Sequence, residues 1–147
     1  MDAKKQILAL TASLGLDQPV FNQGTAAFQF DDLVLNFHAD DEGGRLTLFM
    51  DLGELPEDPA ARLTVYALLL KANAFGRRTG GGVLGIDDDE SRINFSLALS
   101  GEFLEESQLE RAVEAFLNVA EMLAGELAAA SASRPPRESL PAGVVRG

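Results

Sequence analysis

The chain has 147 residues, a single histidine, no cysteine, no tryptophan and a formal net charge of −11. This length suits one domain that hides roughly 70% of its unfolded surface, and the missing cysteines exclude disulfides, thiolate nucleophiles and thiolate-bound zinc. Residues 131 to 147 set Arg134, Arg137 and Arg146 against Glu138, a charge of +2 that leaves −13 on the rest; a field of that sign repels phosphate backbones, so the expected partner is a basic polypeptide and not nucleic acid.

Asp2 is placed to cap a first helix in which Ala3, Ile7, Leu10 and Leu14 share a stripe, with Gly15 as its stop. The apolar stretch from Ile7 is interrupted by Thr11 and Ser13, and no run reaches the ~18 residues of a membrane span. Neither membrane insertion nor a signal peptide is therefore expected, and the cytoplasm is the expected compartment. Beyond Pro19 and Asn22, Ala26, Phe28 and Phe30 alternate, Asp31 and Asp32 supply a two-residue turn, and Leu33, Leu35 and Phe37 alternate again. An acidic turn through Asp40, Asp41, Glu42, Gly43 and Gly44 leads to a third strand in which Leu46, Leu48, Met50 and Leu52 share a face.

Asp58 followed by Pro59 predicts the start of a second helix running to about Asn73, ended with the help of Gly76. Its run Leu63, Val65, Tyr66, Ala67, Leu68, Leu69 and Leu70 is apolar almost all the way round. Helices of that kind are buried on every side, and a domain of this size covers one face only. A homodimer is expected, with Leu63, Tyr66, Leu68 and Leu70 at its interface. Gly80, Gly81 and Gly82 read as a flexible lead into a strand from Val83 to Ile86, and the polar turn Asp87 to Glu90 joins it to Ile93, Phe95, Leu97 and Leu99. Ser107 and Glu110 have capping-box spacing ahead of a third helix with Leu109, Val113, Phe116, Leu117, Ala120, Leu123 and Leu127 at helical intervals. Residues 1–130 are read as one domain and 131–147 as a loose Pro- and Arg-containing tail. The order is α-β-β-β-α-β-β-α, an α+β domain with an antiparallel sheet.

Catalytic patterns are missing. His38 stands without a second histidine or a nucleophile-elbow motif and is expected to be exposed or partner-facing. The glycine run lacks the lysine and hydroxyl of a phosphate loop and precedes a strand. The acid clusters Asp40 to Glu42 and Asp87 to Glu90 lack calcium-loop ligand order and suit hairpin turns. No cofactor, no metal and no enzymatic activity is expected. Val34 and Phe49 point away from the stripes assigned to the core, and Val20 and Phe21 lie in a loop; together they form a candidate partner patch.

Leu69 to Phe75, then Thr79 to Gly82, Val83 to Ile86, and Ile93 to Leu97 after the acidic turn resemble the middle of class I type III secretion chaperones, the Tir chaperone (CesT/SycE-like) family. The resemblance spans residues 1 to 130 and extends to the element order. It implies a dimer that binds the amino-terminal region of a secreted effector and delivers it to the secretion apparatus, with a secretion ATPase as a further partner. It places the strand from Val83 through Leu84 to Ile86 with the second helix at the dimer contact, and the first helix and first three strands at the cargo grooves; Val20, Phe21, Val34, Asn36 and Phe49 are the candidate partner-binding residues. A regulatory or structural interaction protein on the same scaffold is the alternative, and a hydrolase using scattered acids a third reading.

Overall fold

The computed structural model describes residues 3–13, 15, 21–30, 32–40, 44–100 and 105–132. Expectations resting on Asp2, Leu14, Pro19, Val20, Asp31, Asp41, Glu42, Gly43 and the chain after Ala132 fall outside those residues.

Helix α1 spans Ala3–Ser13 and buries Ile7 and Leu10, together with Thr11, whose hydroxyl donates to the Leu8 carbonyl at 2.9 Å. Gly15 follows at φ 69° and donates its N–H to the Ala12 carbonyl at 3.2 Å, a left-handed stop for which glycine carries no steric penalty. Strands β1 (Thr25–Phe30) and β2 (Leu33–Asp40) pair with Phe30 opposite Leu33, as a two-residue turn requires. Strand β3 (Arg45–Glu54) pairs with β2 and sends Leu46, Leu48 and Met50 inward. A register shift between Asp51 and Gly53 then leaves Leu52 only half-buried.

Helix α2 spans Pro59–Asn73, with Asp58 Oδ2 accepting from the Ala61 N–H at 2.9 Å and proline in the first turn, as expected from the sequence. Strands β4 (Val83–Ile86) and β5 (Arg92–Ser100) form the second hairpin. Strand β5 also pairs with β3, so the antiparallel sheet runs β1-β2-β3-β5-β4 with β1 and β4 at its edges. Helix α3, Glu106–Ala132, buries Leu109, Val113, Phe116, Ala120, Leu123 and Leu127. The stacking of Phe116 on Phe95, with ring centroids 4.5 Å apart, locks it against β5. Helices α1 and α3 cover one face of the sheet, and α2 packs between α3 and β4.

Two expectations are corrected. The return bond of a capping box at the start of α3 is made by Gln108 to Glu105, and not by Glu110 to Ser107: Gln108 Oε1 accepts the Glu105 N–H at 2.8 Å, while the Glu105 carbonyl accepts the Leu109 N–H at 2.9 Å as the helix's first backbone bond. The helix begins at Glu106, one residue before Ser107, so Ser107 lies inside it and Glu110 accepts the Ser13 hydroxyl at 2.7 Å, tying α3 to α1. The triple glycine is a tight turn and not a loose lead. The Gly81 N–H donates to Gly76 O at 2.9 Å and the Gly82 N–H to Thr79 O at 3.1 Å. A Cβ at Gly82 would stand 2.6 Å from Phe95 Cε1 and 2.8 Å from Ser96 O, so no side chain fits there.

Candidate partner-binding surfaces

Helix α2 buries Ala61, Val65, Leu69 and Ala72 along one stripe. Positions 63 and 70 fall on the opposite stripe, where Leu63 is 68% and Leu70 73% exposed, while Tyr66 and Leu68 lie partly buried against the subunit's own core. The remaining expected contact residues separate by strand alternation. Leu84 is only 4% exposed. Its assignment to a subunit contact is corrected: the side chain fills this subunit's own core, because alternation turns Leu84 toward the helices and Val83 to the other face. Val83 is exposed and Ile86 lies open at the sheet's edge.

The face of the sheet away from the helices carries the second surface. Pairing places Ala27, Asn36, Phe49, Ser96 and Val83 in one row that crosses all five strands, with Val34 two residues along β2 from Asn36. Phe49 stands between the buried Leu48 and Met50, so it points to this uncovered face, where it is half-buried and Val34 is exposed. The Asn36 side chain donates to the Phe49 carbonyl at 3.3 Å, which holds it flat on the strands. Phe21 is half-buried and packs against the core, so it does not join that row. Beside the row, a recess is bordered by Val34, Asn36, Leu52 and the Arg92 guanidinium. Arg92 pairs with Asp51 and Glu54, and the Asp51 hydrogen bond and charge raise its pKa further.

A third surface was not expected from the sequence. Between the β1–β2 tip and α3 lies a groove of about 380 Å³ with Phe30, Leu33 and Leu117 as apolar lining and Asp32, Glu114 and Glu121 as its charged members. Its residues come from segments some 80 positions apart, so no local pattern could announce it. Phe75, too, went unnoticed as a surface residue. It sits at φ 61° in the turn Ala74–Gly76 after α2 and is 95% exposed. A bulky residue in that region carries strain of about 1–3 kcal/mol, and here the ring gains no burial to offset it.

The groups with catalytic or metal-binding chemistry are engaged locally. His38 Nδ1 is 2.9 Å from the Thr25 hydroxyl, and the residue is half-buried. Asp87 accepts the N–H groups of Arg92 and Ser91, each at 2.9 Å, and the Ser91 hydroxyl at 3.1 Å. Those bonds, led by the Arg92 N–H, hold its pKa at about 2, below the ordinary 3.8. This is turn chemistry, as the spacing suggested. No helix among the described residues is long and apolar enough to cross a membrane.

Helices on one face of an antiparallel sheet, an uncovered apolar row on the other and an acidic surround define a small α+β domain of the secretion-chaperone fold. The chain belongs to the Tir chaperone protein (CesT) family, whose profile matches residues 6–124. It is similar in fold to a protein of the ExsC–ExsE complex (TM-score 0.69, 18% identity, 86% of this chain and 97% of that one). It is also similar to a chain of the HopA1–SchA chaperone–effector complex (0.62, 22%, 80% and 89%). A third similar chain comes from the structure of the Yersinia pestis type III secretion chaperone SycH with a fragment of YscM2 (0.62, 21%, 82% and 98%). No curated protein matches the chain in sequence.

Proposed function

We propose that this protein is a cytoplasmic, dimeric chaperone without enzymatic activity that holds the amino-terminal region of a type III secreted effector in extended form and passes it to the secretion apparatus, its ATPase being the receiving partner. The observation that carries this reading is the row Ala27, Asn36, Phe49, Ser96 and Val83 with the neighbouring Val34, an apolar-centred track left uncovered on a face that the subunit's own helices never reach. An extended chain laid there gains about 25 cal/mol for each Å² of apolar surface it buries while its own fold stays unformed. The acidic groove between the β1–β2 tip and α3, around the sheet's end from this track, favours cargo with arginine or lysine next to apolar residues. Family membership and the similar chaperone–effector complex support the same reading. The dimer joins through α2, with Leu63 and Leu70 outermost.

The test is co-purification from the native cell, followed by Val34→Asp and Phe49→Asp. The expected result is an effector retained through its amino-terminal segment alone, with affinity lost at least tenfold in the double variant while its oligomeric state is unchanged. Absence of any retained secreted protein, or equal retention by the variant, overturns the proposal.

A further inference from the structure

The two edges of the sheet are built differently. In an antiparallel edge strand every second residue turns its N–H and C=O away from the sheet and offers them to any strand that arrives. At the β4 edge those residues are Gly82, Leu84 and Ile86. The intervening positions face inward, with Val83 opposite Ser96, Gly85 opposite Asn94, and the Asp87 N–H donating to Arg92 O at 3.1 Å. Gly82 is already engaged, its N–H donating to Thr79 O. Leu84 is engaged twice by one side chain: its N–H donates to Asn73 Oδ1 at 2.8 Å, and its carbonyl accepts from Asn73 Nδ2 at 2.8 Å.

A carboxamide presents a donor and an acceptor side by side, as a strand residue presents its N–H and C=O. Asn73 thus occupies the place of the next strand. It is the last residue of α2, and the Ala74 N–H, donating to Lys71 O, fixes the backbone beside it. Among the described residues of the β4 edge only Ile86 keeps an outward N–H and C=O pair with no protein partner, and one residue is too short for a ladder.

We propose that Asn73 closes the β4 edge to main-chain pairing, so that a second copy of this chain meets the α2/β4 side through side chains and never by joining β4 to β4 into a continuous sheet. The closure stands on geometry alone; only its application to a second copy rests on the dimer proposed above. At the other edge, Asn22 and Thr25 exchange N–H···O bonds of 2.9 and 3.0 Å at the start of β1.

The experiment compares the full-length chain with Asn73→Leu by amide hydrogen exchange and by light scattering across a concentration series. In the wild type the Leu84 amide is expected to be protected to the same degree at every concentration, because its partner lies in the same subunit. In the variant that amide exchanges at least tenfold faster in dilute solution, and assemblies larger than the wild type's form on concentration. Adding Ile86→Pro, which removes the remaining outward donor, reverses the assembly. Unchanged Leu84 exchange, unchanged assembly, or assemblies indifferent to Ile86→Pro each overturn the proposal. If Asn73→Leu does not fold, Asn73→Ala serves with the same readouts, since a methyl group neither accepts the Leu84 N–H nor donates to its carbonyl. A monomeric wild type with a protected Leu84 overturns the dimer and leaves the closure standing.

Discussion

Leu70 and Leu84 are the same residue type in adjoining elements, yet a charge at each reports on a different event. Leu70 is 73% exposed within the subunit, so on the proposed dimer Leu70→Asp is expected to halve the sedimenting mass without unfolding the subunit. Leu84→Asp places an unpaired charge in the core, at a cost of several kcal/mol, and the expected readout is loss of the cooperative melt itself. A short strand with apolar residues at 83, 84 and 86 does not say which of them its own subunit keeps; only the pairing with Ser96 and Phe95 decides it. Asp87 gives a second expectation. Its folded pKa of about 2 lies below the ordinary 3.8, so the stabilisation is complete above the higher value and disappears as pH falls through the lower. Stability followed by circular dichroism is expected to depend less on pH for Asp87→Asn in that window, and the variant is expected to be less stable than the wild type near neutrality, where the carboxylate's stabilisation is fully present.

At the scale of elements, the start of α3 separates two capping schemes by experiment. Gln108→Ala is expected to lower stability by about 1 kcal/mol and Ser107→Ala to leave it nearly unchanged in denaturant melts, because the reciprocal bond is made by Gln108. Equal effects would restore the scheme based on Ser107 and Glu110. The element order was legible because hydrophobic period and punctuation change together: Asp58 and Pro59 open α2, and the switch from alternate spacing to the Leu109, Val113, Phe116 interval marks α3. The position of β5 between β3 and β4 was not legible, since lateral strand order depends on long-range pairing that leaves no local mark.

For the whole molecule, the apolar side chains that the described sheet and helices leave exposed were readable from α2, where Leu63 and Leu70 lie open, and Val34 and Phe49 lie off the core face as their alternation suggested. The acidic groove and the closed β4 edge were not readable, because each is made by residues brought together from separate elements. Helix α3 reaches Ala132 with Ala130 still buried, so the domain boundary proposed from the sequence is tested by truncation after Ala132. That truncation is expected to leave the melting temperature unchanged, consistent with a tail of +2 charge and few large apolar residues; a fall of several degrees would show the tail to be part of the packing.

Among the described residues the helices stand behind the sheet, and on the proposed function this sets how a passenger leaves. A polypeptide resting on the front would be touched along a line, so a pull on one end would detach it residue by residue. The greatest load at any instant would be that of a few contacts and not of the whole track. A motor would then meet many low barriers in succession and leave the holder intact for another round.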